Sequence, residues 1–243
     1  MAGKSKKPRN TAAAKQAKRR FRPVRWMLRW AVRLGGIAMV LVLGLVVLFA
    51  AVNPPTTHTI WSEANRLGGV QRNWVDADDI APVMLRAAVA AEDANFCTHW
   101  GFDMDAIRAA IDSGAARGGS TISQQVVKNV FLWQGRSWVR KALEAALTPA
   151  VEAIWSKRRI LEVYLNIAEF DEGVFGVEAA AQRYFGTSAA RLSTRQASLL
   201  ASVLPNPKQR NAANPTAFLD RRARAIASGA ATIDADGRAA CFQ

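Results

Sequence analysis

Glu92 ends an apolar run and opens the stretch Glu92-Asp93-Ala94-Asn95-Phe96-Cys97-Thr98-His99-Trp100-Gly101-Phe102-Asp103, which packs carboxylates, an imidazole and three aromatic rings together. A carboxylate at a helix C-terminus meets the negative end of the macrodipole. That disfavours its ionised form and moves its basicity toward what a general base needs. Acids near helix ends are also common on plain solvated surfaces, and this run alone fits either reading.

A second run adds anion chemistry. Gly118-Gly119-Ser120-Thr121 opens a helix whose first backbone N–H groups are free for a phosphate or diphosphate. On that helix Thr121, Gln125 and Lys128 fall on one face, with Ile122, Val126 and Val130 facing inward. Further on, Arg140, Lys141 and Glu144 lie within one turn. By itself that is the pattern of an i, i+4 ion pair worth a few tenths of a kcal/mol.

These side chains need helices to hold them, and helical periodicity dominates the chain after residue 79. Ile80, Val83, Met84, Ala87, Ala88 and Ala91 predict a helix ending at Glu92, capped by Asp78 or Asp79, with Pro82 in its first turn. A second helix runs from Gly118 to about Phe131. A third covers Ser137 to Trp155, with Val139, Leu143, Ala146, Ala150 and Ile154 as its apolar face and Pro149 bending or dividing it. Ser156 caps a fourth with Ile160, Leu161, Tyr164 and Leu165 inward. Val177 to Phe185 forms a fifth closed by Gly186, and Ser193 with Gln196 makes a capping box for a sixth. Asn214-Pro215 opens a seventh that ends near Ala227. Residues 56–79, with Trp61, Val70, Trp74 and Val75 irregularly spaced, predict loops and a short strand pair.

Ahead of all this lies a polarised N-terminus. Residues 1–33 carry 12 Lys or Arg and no acid, which leaves 21 basic against 19 acidic side chains in the remainder. A nearly neutral body offers no broad phosphate-binding face, so nucleic acid is not an expected partner. Leu34 to Val52 is a 19-residue uncharged run, about 28 Å as a helix, enough to span a bilayer. Trp26 and Trp30 mark its basic edge, and Asn53-Pro54-Pro55 stops it. The run is longer than a signal-peptide core, and Ala50-Ala51-Val52 is a poor cleavage site, so an uncleaved anchor is expected. The basic arm then stays in the cytoplasm and residues 56–243 are exported.

The strings EDANFCTHWGFD (92–103), GGSTISQQVVKN (118–129), RKALEA (140–145) and SKRRILEVYLNIAEF (156–170), followed by GVFGVEAAAQRYFG (173–186) and LLASVLPNP (199–207), resemble in order and interval the motifs of the peptidoglycan glycosyltransferases, glycosyltransferase family 51. The resemblance is to the monofunctional Gram-negative members. It implies a mainly α, lysozyme-like glycosyltransferase domain at residues 56–230, preceded by a single transmembrane helix at 34–52 and a basic arm at 1–33, with a tail at 231–243. It further implies an inverting polymerase of lipid II that releases undecaprenyl diphosphate at the periplasmic face of the inner membrane. Glu92 would be the general base, with Glu144 beside the donor diphosphate, aiding the leaving group or a divalent metal. Asp93, Phe96, His99, Ser120, Thr121, Gln124, Gln125, Lys128, Arg140, Lys141 and Asn166 would bind substrate. No cofactor is required, although Mg or Mn could sit at the diphosphate. Lipid II and the growing lipid-linked glycan are the implied partners, with other cell-wall synthesis or division proteins beside them. Asp171, where relatives carry Gly, and Pro149 depart from the family pattern without removing a proposed catalytic group.

Other chemistries are excluded. The two His and two Cys match no zinc spacing, no phosphate-binding Gly-Lys loop is present, and no Ser is followed three residues later by Lys, as an acyl-serine transpeptidase requires. A lytic enzyme would also need an acid but has no use for a diphosphate cradle. In an oxidising periplasm Cys97 and Cys241 are expected to pair, pinning the polar tail beside the segment after Glu92.

Overall fold

In a computed structural model of the chain, the described residues are Gly3, 23–112, 119–135 and 137–243. Most of the basic arm and Gly118 lie outside them. The chain divides into two compact units, Met1–Leu41 and Val42–Gln243.

Helix α1 (Pro23–Phe49) is long and apolar enough to cross a membrane. It starts at Pro23 rather than Leu34, so residues 23–33 of the predicted arm are helical. Charge marks where a bilayer begins, not where a helix does. Arg25, Arg29 and Arg33 are good helix formers. Trp26 and Trp30 meet edge to face with centroids 6.2 Å apart, and the Arg33 guanidinium lies 5.5 Å from the Trp30 ring.

The second unit begins with the last turns of α1. Trp155 Nε1 donates to the Val46 carbonyl at 2.7 Å, and Arg159 donates to the carbonyls of Phe49 and Val52. These bonds satisfy acceptors that a helix C-terminus leaves open.

Residues 58–67 form a helix, α2 (His58–Leu67), where loops were expected. Thr57 caps it by accepting from Ile60 N, and Gly68 closes it at φ +75°. Its one buried residue is Ile60, so no apolar stripe announces it. Part of the strand expectation survives in β1 (Gln71–Arg72). Its partner is distant, because β1 runs parallel to β3 (Val174–Phe175), which is antiparallel to β2 (Glu169–Asp171).

Helix α3 (Pro82–Glu92) ends where expected. Its N-cap is Ala81, with no side-chain cap bond, while Asp78 and Asp79 lie in a preceding 3-10 turn. Helix α4 (Met104–Asp112), absent from the sequence reading, buries none of its residues. Helices α7 (Lys157–Ile167), α8 (Val177–Phe185) and α9 (Thr194–Val203) carry the expected caps, including the Ser193/Gln196 capping box, while α5 (Ile122–Phe131) begins after Thr121, which forms a capping box with Gln124 where free N–H groups were expected.

Two elements depart further. Helix α6 (Trp138–Ile154) runs unbroken through Pro149, and it turns the opposite face inward from the one its apolar spacing suggested. Glu144, Leu147, Thr148, Val151 and Glu152 are buried, whereas Val139 is 64 % exposed and Leu143 and Ile154 also face outward. Ion pairs, described below, make a buried polar stripe tolerable. Helix α10 starts after Thr216 and extends to Ala235, because Leu219, Ala223, Ile226, Ala230 and Ile233 continue one buried stripe. Gly229 allows close approach, since a Cβ there would lie 3.3 Å from Ala90 Cβ on α3.

Helices α3, α9 and α10 pack as one group and α5, α6 and α7 as another, around a continuous core that includes Met84, Phe96, Ile122, Leu161 and Leu200. The tail docks on it. Cys97 and Cys241 are disulfide-bonded with Cα atoms 5.7 Å apart, and Phe242 is buried with its ring centroid 6.3 Å from that of Phe96. The tail therefore has an apolar anchor as well as the bridge.

Candidate active site

The end of α3 delivers Glu92 to a cleft of about 460 Å³ whose lining includes Glu92, Asp93, Asn95, Asp103, Ser120 and Thr121. Gln125 on α5 donates from Nε2 to Glu92 Oε2 at 3.1 Å. Burial, more than any other influence, holds the Glu92 carboxyl above its ordinary range. The Asp93 charge adds to the rise, while the Gln125 bond and the charges of Arg222 and Arg210 oppose it. The direction is that of a general base near neutral pH. The main cause is desolvation rather than the helix dipole.

On the same face of α5, Gln125 and Lys128 line a second cleft of about 250 Å³ with Asn129, Gln134, Tyr164 and Glu169. Burial pushes the Lys128 ammonium below its ordinary value. Glu144 and Glu92 pull it back up, and Arg140 and Lys141 push it further down. Lys128 makes no ion pair among the described residues. A cation half withdrawn from water gains from an anionic neighbour, and Glu144 and Glu92 act on it only at a distance.

Ser137 caps α6 by accepting from Arg140 N, which sets Arg140, Lys141 and Glu144 in its first turns. Glu144 is 3 % exposed, receives Arg140 Nη1 at 3.1 Å and pairs with Lys141 Nζ. Lys141 Nζ also reaches Ser120 Oγ at 3.4 Å, so the cations of α6 meet the segment entering α5. This is a buried, charge-assisted cluster rather than the exposed i, i+4 pair of the local pattern.

The N-terminus of α5 is not the open anion site that its glycines suggested. Asp93 Oδ2 accepts from Ile122 N at 3.0 Å, Thr121 Oγ1 from Gln124 N at 3.2 Å, and Gln124 Oε1 from Thr121 N at 3.0 Å. The cationic side chains nearest this segment are Lys128, Arg140 and Lys141.

Several expected substrate contacts are buried and saturated instead. Phe96 is fully buried in the core. Asp93 accepts from Ile122 N and from His99 Nε2 at 2.8 Å. Thr121 donates its hydroxyl to the Gly101 carbonyl at 2.7 Å, and Gln124 completes the capping box. Asn166, fully buried, accepts from Val75 N and donates to the carbonyls of Val75 and Glu162. Phe96 and Asn166 belong to the core, whereas Asp93 and Thr121 border the Glu92 cleft with hydrogen bonds already made to the protein. The structure adds an ion pair between buried Glu152 and partly buried Lys157, 2.8 Å apart, which the sequence reading missed because it placed that face of α6 outside.

The chain can now be set beside known proteins. A protein-family model described as Transglycosylase matches residues 60–230. The biosynthetic peptidoglycan transglycosylase of Jannaschia sp. (strain CCS1) is 63 % identical over 218 residues, 90 % of this chain and 90 % of that one. Those of Rhodospirillum centenum (47 % over 223 residues, 90 % of this chain and 96 % of the relative) and Pseudomonas fluorescens (50 % over 204 residues, 79 % and 85 %) are similar along most of their lengths. The mainly α, lysozyme-like domain behind an apolar N-terminal helix agrees with this kinship. The chain belongs to the transglycosylase family, among the biosynthetic peptidoglycan transglycosylases, which are glycosyltransferases.

Proposed function

We propose that this enzyme polymerises lipid II. The 4-hydroxyl of one lipid-linked disaccharide attacks the anomeric carbon of a growing lipid-linked chain, and Glu92 accepts the hydroxyl proton. The bond from that carbon to the diphosphate oxygen breaks with inversion, and undecaprenyl diphosphate leaves. Lys128, Arg140 and Lys141 neutralise the charge gathering on the leaving diphosphate, with Gln125 beside Lys128 and Ser120 beside Lys141. Glu144 holds Arg140 and Lys141 in place, and Asp93, His99, Thr121, Gln124 and Asn166 keep the supporting elements in register. The observation that carries this reading is a desolvated carboxylate, Glu92, tied by Gln125 to the helix face that presents Lys128, which makes no ion pair among the described residues.

Mg or Mn fits poorly as a resident ion. Among the described residues no three His, Cys, Asp or Glu side chains gather to hold one, and both Glu144 oxygens are engaged by Arg140 and Lys141. No step above passes through a metal. The sequence carries no transpeptidase serine motif, so the reaction ends at the glycan strand. With α1 in the inner membrane and its basic end in the cytoplasm, enzyme and substrate share the periplasmic surface, which raises their encounter rate.

Purified protein incubated with lipid II in detergent tests the reading. Glycan chains and undecaprenyl diphosphate should appear together. Shortening of preformed glycan without consumption of lipid II would instead mark a lytic enzyme.

A further inference from the structure

From Asp93, which borders the Glu92 cleft, polar contacts close into a ring through four segments. Asp93 Oδ2 accepts from Ile122 N, the first residue of α5. Ser123, next on α5, donates its hydroxyl to Glu152 Oε1 near the end of α6. Glu152 Oε1 pairs with Lys157 Nζ at 2.8 Å, at the start of α7. Lys157 Nζ also donates to the His99 carbonyl at 2.9 Å, and His99 Nε2 returns to Asp93 Oδ1 at 2.8 Å. Neighbouring groups brace the ring. The ammonium of Lys157 sits 4.4 Å from the Phe96 ring centroid, and a Cβ on Gly101 would come within 3.1 Å of Glu152 Cγ.

We infer that Glu152 and Lys157 are positioning residues for glycosyl transfer, which fix through this ring the distance between Glu92 and the α5 face carrying Gln125 and Lys128. A buried ion pair generally adds little stability over apolar side chains of the same volume, so its use here is in geometry. Every link ends on a group next to the site. Asp93 follows Glu92 in the chain, and Ile122 lies one turn before Gln125, whose amide holds Glu92 at 3.1 Å. If α5 slides, that amide leaves the carboxylate and Lys128 moves relative to the base. Misplacement of a reacting group by about 1 Å can lower a rate by about 100-fold.

The inference rests on the lipid II reading, and its test separates the two. The isosteric double variant Glu152→Gln/Lys157→Met leaves no unpaired charge buried. Its melting temperature should stay within a few degrees of wild type. Its kcat on lipid II in detergent should fall about 10- to 100-fold with KM within about 3-fold, and amide exchange at residues 120–124 should accelerate. Lys157→Arg, which keeps the charge, should recover most of kcat. Ser123→Ala opens the ring by one hydroxyl and serves if the double variant does not fold, with a loss of about 3- to 10-fold expected. Wild-type kcat and exchange in a folded ring variant would overturn the positioning role. A wild-type protein inert on lipid II would overturn the lipid II reading, and exchange at residues 120–124 would still decide the ring.

Discussion

Glu92 and Asp93 are neighbours in the chain with opposite electrostatic surroundings. Asp93 is enclosed, and both its oxygens accept hydrogen bonds, from Ile122 N and His99 Nε2. Glu92 borders the cleft, accepts one side-chain bond from Gln125, and is pushed by burial toward its protonated form. The same contrast separates Lys157, held by Glu152 and the His99 carbonyl, from Lys128, which is half-buried with no ion-pair partner among the described residues. The inner layer satisfies its charges and so fixes geometry. The outer layer leaves its charges wanting partners that a substrate can supply, at some expense of stability.

The largest expected effect breaks the inner layer. Asp93→Ala strips Ile122 N and His99 of their shared acceptor in a dry site and should destabilise the protein by about 2–4 kcal/mol in a denaturant melt. A loss well under 1 kcal/mol would mean the inner charges are not structural. Removing the bridge with Cys97→Ala and Cys241→Ala should cost about 2–4 kcal/mol, because a link spanning 144 residues restricts the unfolded chain strongly. Gly101→Ala should cost about 1–3 kcal/mol, since the backbone there has φ +84° and the new Cβ would meet Thr148 Cγ2 at 2.5 Å.

A pH series sharpens the contrast. With its folded pKa raised above 4.5, Glu92 contributes stability that is fully present below its unfolded pKa and is lost as pH rises through the folded one. Wild type should lose stability relative to Glu92→Gln as pH climbs from 4 to 8, and parallel curves would deny that burial strains Glu92. Smallest of all, Asp105→Asn, at the exposed Asp105–Arg108 pair on α4, should leave the melting temperature unchanged.

Much of this contrast was legible in the sequence and part was not, for identifiable reasons. Local devices read well. The Ser193/Gln196 capping box, the Ser156 cap and the Gly186 stop act within a few residues, and helices α7, α8 and α9 follow them. Glu92 was legible because it closes an apolar helix beside polar residues. Burial of charge was not. Periodicity assigns the apolar stripe of α6 to the core, yet Glu144 and Glu152 face inward because Arg140, Lys141, Lys157 and Ser123, from three helices, converge on them. The Arg140 and Lys141 contacts are local, but Ser123 reaches Glu152 from another helix and leaves no mark in the sequence beside it. Likewise the glycines before α5 suggested open N–H groups; the Thr121-x-x-Gln124 spacing marks a capping box that fills one, but nothing nearby in sequence shows that Asp93 fills another. Helix α2 was missed because one buried residue, Ile60, makes no pattern.

Glu92, held desolvated, is the base we propose for the reaction. The most direct measurement compares Glu92→Gln with wild type in lipid II polymerisation and thermal unfolding at neutral pH. Turnover should fall by about 10² to 10⁴ while the melting temperature stays the same or rises, because the amide keeps the shape and removes a buried charge. Turnover close to wild type in the folded variant would contradict the account.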